Sequence, residues 1–363
     1  MEFVHQIDLV EYATKKEEDS TRASRKAAIR SIRDEVNFWC IVDALNFGSG
    51  FRYALHHHCR QGAYNVIVHG VSNMLAQNSV NQSFLSSITQ EQVASFFGIP
   101  LEASDLALLV NHLVRALHEL GESLSNQGDD DMAEFILRTC KRWCSEHGGN
   151  KQPVPASFVV ATLIDVFPPF NDQSLFRPFT GSLYQEQAAA HTGSLLNEPM
   201  QTNLDGHGEV SLLNGRLVHI LKKAQLLVAD LHRTVGRQPS CIGYENENEH
   251  YDPGWIRFSE IDQLTVFSDN VLPAVLRKLG ILQIVSPSLA ALIDQKRLLP
   301  AGQEEVELRL GAVHACNLII TQANKIGKDL GSCMDLDYYL WVKGKDPGFR
   351  EWPRHRTIDT YYY

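Results

Sequence analysis

The sequence predicts a mainly α-helical protein, a single compact helical domain with loop insertions. Apolar residues recur at steps of three and four through the clearer segments, strand-like alternation between hairpin turns is rare, and Pro and Gly punctuate the edges of the helical stretches. The first helical stretch runs from Ser24 to Phe47, followed by Glu102 to Leu124 and Asp130 to Glu146. Pro153 and Pro155 precede a helix from Ala156 to Phe167, and Pro168-Pro169 stop it. From Ser211 to Val235 the positions Leu213, Leu217, Ile220, Leu221, Ala224, Leu227, Val228 and Leu231 predict one long amphipathic helix. Val271 to Leu279, with Gly280 at its C-terminal cap, Ser288 to Leu298, Glu304 to Ile326 and Met334 to Val342 complete the set. Two polar stretches, 180–214 and 236–254, read as surface insertions in one domain spanning 1–363.

Composition narrows the function. A hydrophobic fraction of 44% supports a sizeable core, and apolar runs such as Leu226-Leu227-Val228-Ala229 are far too short to span a membrane. Seven scattered cysteines and an N-terminus without a secretory signal predict a cytoplasmic protein. The net charge of −10 argues against a stable nucleic-acid partner, because such binding draws on Lys and Arg contacts with phosphates. A small-molecule ligand is expected instead.

No dinucleotide fingerprint, no phosphate loop ending in Gly-Lys-Ser/Thr and no His-Glu-x-x-His helix is present, so no cofactor and no metal are expected. The neighbours His56-His57-His58-Cys59 point in different directions and cannot all converge on one ion. Phe47-Gly48-Ser49-Gly50-Phe51 reads either as a glycine cap after a helix or as a turn whose N–H groups meet an anion. Ser268, Asp269 and Asn270 stand before an apolar helix with an early proline, as N-cap residues do. A carboxylate placed there is also suited to stabilise or attack a sugar cation. Lys222 and Lys223 interrupt an apolar helix, where a lysine either snorkels to water or meets an anion. Glu305 and its neighbours suit the first turn of a helix, and Asp337-Tyr338-Tyr339-Leu340-Trp341 offers aromatic rings for a core or for stacking on a base.

In their order, these blocks resemble the queuosine salvage protein family. Phe38 to Phe47 is similar to the family's early Asp-Leu-Asn-Phe helix, Leu221 to Asp230 to its lysine helix, and Leu264 to Asn270 to the segment with its catalytic aspartate. Glu305 to Arg309, Leu336 to Trp341, His355-Arg356 and Tyr361 to Tyr363 follow in sequence. The resemblance implies a helical fold like that of helix-hairpin-helix DNA glycosylases and release of queuine from queuosine 5′-monophosphate. It implies Asp269 as nucleophile or oxocarbenium stabiliser and Lys222 as an essential cation that holds the 5′-phosphate or orients the carboxylate. Asn46, Phe47, Phe267, Asn270, Asp337 and Tyr338 are the implied pocket residues. The chain departs from the family at Gly48-Ser49-Gly50, where relatives continue with aromatics, and at Val271, where relatives carry arginine. A catalytically silent nucleotide-binding protein and a DNA-repair glycosylase are the rival readings.

Overall fold

Helices account for most of the residues that the computed structural model describes, namely 28–176, 216–236 and 252–363 with Phe3, Val4, Ile7 and Tyr12. They are α1 (Ile32–Ala44), α2 (Arg52–His58), α3 (Ala63–Gln77), α4 (Gln82–Ser87), α5 (Gln90–Phe97), α6 (Ala107–Gln127) and α7 (Met132–Glu146). After them come α8 (Ala156–Val166), α9 (Lys222–Leu231), α10 (Val271–Lys278), α11 (Pro287–Asp294), α12 (Gln303–Lys325), α13 (Cys333–Lys343) and the short α14 (Pro347–Arg350).

The chain divides into two units, 1–172 with 220–363 and 173–219. In the smaller unit, β2 (Gln173–Phe176) pairs antiparallel with β3 (Arg216–His219), with Gln173 opposite His219. In the larger, β1 (Val154–Pro155) runs parallel to β4 (Phe258–Ser259). The predicted insertions fall almost wholly outside the described residues.

The larger unit has two main apolar cores. One is centred on α1, whose capping box of Ser31 and Asp34 starts a helix with Val36, Phe38, Trp39, Cys40, Ile41 and Val42 all buried. Helices α3, α7 and α9 pack on it. The other core joins α10, α12 and α13 through Leu272, Leu276, Ala312, Cys316, Ile319, Leu336 and Leu340. The segment between them, 264–271, feeds both: Leu264 and Phe267 enter the first core, Val266 and Val271 the second. Asp269 therefore sits at a seam between two independently packed interiors.

One predicted helix is corrected. The stretch 211–235 is not one helix: β3 ends at His219, Leu221 takes a left-handed backbone with φ of 52°, and only then does α9 begin. Apolar spacing fits a helix there, but pairing with Gln173–Phe176 about forty residues upstream wins, and local periodicity is blind to it. A leucine in that conformation costs roughly 1–2 kcal/mol. It fixes where α9 starts, and so places Lys222 and Lys223 in its first turn.

The glycine turn is neither a simple cap nor an open cradle. Helix α1 ends at Ala44, and Gly48 (φ 93°) donates its N–H to the Tyr363 carbonyl at 3.2 Å. Gly50 lies so close to the Thr357 carbonyl that any side chain would collide with it, while Arg356 Nε donates to the Gly50 carbonyl at 3.2 Å. The C-terminal segment is thereby held against the 48–52 turn.

Candidate active site

A cavity of about 560 Å³ is lined by seven of the eight residues singled out in the sequence: Asn46, Phe47, Lys222, Phe267, Asp269, Asp337 and Tyr338. Asn270 is the exception. It is buried and donates through Nδ2 to the His355 carbonyl at 3.0 Å, so it holds the C-terminal segment instead.

Asp269 precedes α10 by two residues. Its Oδ1 accepts the Val271 N–H at 2.6 Å, which holds the carboxylate at the start of the helix, although the residue at the cap position itself is Asn270. The backbone on its N-terminal side is clamped as well. Arg309 Nε donates to the Ser268 carbonyl at 2.9 Å, and Ser268 Oγ donates to the Arg309 carbonyl at 3.0 Å. Arg309 in turn pairs with Asp172 and with Glu305, the latter at 3.1 Å, and lies 4.6 Å from the centre of the Tyr363 ring. Glu305 thus does more than complement a helix dipole.

Neither lysine of α9 snorkels. Lys222 is 4% exposed and donates to the Asn46 carbonyl at 2.8 Å and to Asn46 Oδ1 at 3.1 Å. Lys223 is fully buried and donates to the Ala44 and Tyr361 carbonyls, both at 2.8 Å. Cations at a helix N-terminus oppose its dipole, but these reach across to carbonyls at and just beyond the C-terminal end of α1, where positive charge is favoured. Burial pulls the Lys222 ammonium below the ordinary lysine value, and Asp269 is the strongest neighbour opposing that pull.

Asp337, on α13, accepts the Phe267 N–H at 2.8 Å. Burial first, then the Asp269 carboxylate, push its carboxyl up to about 7, against the Phe267 N–H and Lys222. An acid raised on folding holds its proton more tightly in the native state. Ionising it therefore removes stability as pH climbs from about 4 through about 7. Asp337→Asn, which keeps the acceptor for Phe267, is expected to gain in melting temperature relative to the parent as pH rises from about 5 to about 8. A difference that stays constant over that range refutes the assignment.

Aromatic side chains form another part of the lining. Trp341 meets Tyr64 edge-on with centroids 5.6 Å apart and lies 6.2 Å from Tyr338, with Lys345 Nζ 3.5 Å from its ring centre. Asp230 also lines the cavity and pairs with Arg233 at 2.8 Å. Asp43, buried near the end of α1, has its carboxyl pushed well above the usual range by burial and then by Asp230. Sequence reasoning passed over Tyr64 and the arginines at 52, 350 and 354. Three arginines within 350–356 were the visible signal for the last two.

A mainly helical frame in which a helix-start carboxylate, a buried lysine and an aromatic wall line the same cavity defines a small-ligand pocket. The chain belongs to the queuosine salvage protein family, whose model matches residues 171–362, more than half of its length. A model of the chromatin-associated protein KTI12 matches residues 2–96, a stretch without the Lys222, Asp269 and Asp337 elements. Among curated proteins, the chain is 27% identical over 194 residues to a queuosine 5′-phosphate N-glycosylase/hydrolase of Dictyostelium discoideum, covering 52% of this chain and 54% of the relative. Proteins of the same name from Sphaerobacter thermophilus and Bos taurus are each 28% identical, over 51% and 44% of this chain and 52% and 45% of theirs. The chain spans about half the length of the curated relatives it matches.

Proposed function

We propose that this protein hydrolyses the N-glycosidic bond of queuosine 5′-monophosphate and releases queuine. The observation that carries the reading is the convergence of Asp269, Lys222 and Asp337 with the Tyr338 and Trp341 rings on one cavity, in a chain of this family. The base stacks on the aromatic lining and the ribose lies at Asp269. As the bond between C1′ and the base nitrogen breaks, positive charge builds on the ribose and the Asp269 carboxylate offsets it. Water supplies hydroxide equivalent to C1′ and the proton that completes the leaving base. Lys222, held by Asn46, orients the carboxylate through its charge. Asp337, whose carboxyl is raised to about 7 by burial and then by Asp269, carries that proton in this reading.

On this reading the chain is one domain of the family, with 180–214 and 236–254 as insertions, a small-molecule nucleotide as its partner, and neither cofactor nor metal. Its cytoplasmic place rests on cysteine usage, and the six described cysteines are free thiols. Among the described residues no helix is long and apolar enough to cross a membrane. Incubation with queuosine 5′-monophosphate and mass spectrometry of the products tests the proposal. Free queuine and ribose 5-phosphate in equal amounts support it, and recovery of intact nucleotide overturns it.

A further inference from the structure

Arg52, Arg350 and Arg354, with His56, all line the cavity. Their segments are far apart in sequence and meet because Gly50 lets the C-terminal stretch touch the 48–52 turn. Arg354 is tethered by one bond, from Nη2 to the Gly344 carbonyl at 2.8 Å, and Gly344 packs against Val271 beside Asp269. Among the described residues no carboxylate lies within ion-pair distance of these three arginines. The buried Ser49 Oγ and Arg354 Nε, both of cavity-lining residues, have no hydrogen-bond partner among the described residues.

Cations packed together without counter-ions repel. Burial pushes Arg354 down to about 10, and Arg52 and Arg350 add to the effect, with Asp269 opposing. Arg52 is lowered by burial and then by Arg350, with Tyr53 and Glu351 opposing, and His56 by burial and then by both arginines. In a chain of net charge −10, such a concentration of positive charge is stabilised by an anion that carries more than one charge and several acceptors.

We propose that Ser49, Arg52, Arg350 and Arg354 form a phosphomonoester subsite that holds the 5′-phosphate of the nucleotide while its ribose lies at Asp269. The identity of that nucleotide rests on the glycosidase reading above; the subsite does not. Guanidinium forks match phosphate oxygens two at a time, and Ser49 adds a hydroxyl donor. Lys222, already committed to two oxygens of Asn46, is thereby freed from the role of reading phosphate. The departure at Gly48-Ser49-Gly50 then has a purpose: it brings Arg52 and Arg354 to one place.

The test compares Arg52→Gln and Arg350→Gln, at half-buried and exposed positions, with Lys222→Ala. In each arginine variant, kcat/KM for queuosine 5′-monophosphate should fall about 10- to 100-fold more than that for the unphosphorylated nucleoside, as loss of a charge-assisted bond predicts. Lys222→Ala should depress both substrates alike. Equal losses on the two substrates in the arginine variants overturn the proposal, as does a selective loss confined to Lys222→Ala. A second arm uses inorganic phosphate alone and needs no turnover. Phosphate should raise the melting temperature of the parent and not that of the Arg52→Gln/Arg350→Gln double variant, and equal shifts in the two overturn the subsite. Absence of base release from either substrate would sink the glycosidase reading while this second arm still decides on the subsite.

Discussion

Asp269→Asn is expected to abolish release of queuine, lowering kcat by about 10³-fold or more, while leaving the fold intact. Asparagine is nearly isosteric with aspartate, and its Oδ1 can still accept the Val271 N–H that fixes the side chain. The clamp from Arg309 and Ser268 acts on the neighbouring backbone and is untouched. On the proposed mechanism, what disappears is the negative charge that offsets the charge building on the ribose, and an amide dipole is a poor substitute for it. The melting temperature should remain within a few degrees of the parent, about what a conservative change without cavity or broken network produces. Turnover within about tenfold of the parent would remove Asp269 from the reaction.

Arg309→Met is expected to cost about 3–5 kcal/mol of folding stability, read as a lower midpoint in chemical denaturation at unchanged slope. The guanidinium is 1% exposed, lies between Asp172 and Glu305, and donates to the Ser268 carbonyl. Burial by itself lowers its basicity, and Asp172 and then Glu305 more than reverse that. Methionine fills a similar volume but leaves two buried carboxylates without a cation, and that desolvation dominates the loss. Adding Asp172→Asn and Glu305→Gln to the same chain should recover a large part of it. A midpoint shift worth less than about 1 kcal/mol would show that water reaches the cluster and screens it.

How much was visible beforehand follows from where each feature draws its stability. Helices α7, α10, α12 and α13 match their expected spans to within about two residues, because each presents a regular apolar face to a core. Helix α3 was passed over. Its Val66-Ile67-Val68 run is β-branched and Gly70 interrupts it, both poor local signals for a helix that tertiary packing nevertheless enforces. The strand β3 needed its partner β2, which no local pattern reveals. In the site, the order of sequence blocks pointed to the cavity-lining acids, lysine and rings. Adjacent residues at the seam turn to opposite sides, Asp269 to the cavity and Asn270 to the His355 carbonyl, a difference that the order of blocks does not encode. The arginine group depends on contact between residues about three hundred positions apart and on the missing side chain of Gly50.

The seam also bears on how sequence changes reach the cavity. The Asp269 carboxylate hangs from a strip of chain that anchors in both interiors, through Leu264 and Phe267 in one and Val266 and Val271 in the other, so each interior can drift in sequence under its own packing constraint. A methyl group gained or lost around Leu276 or Ala312 would tilt α10, and one around Leu227 or Val42 would move α9, with no substitution inside the cavity. On the proposed reading, the fit of the nucleotide is then open to change from interior positions as well as from the residues that line the cavity.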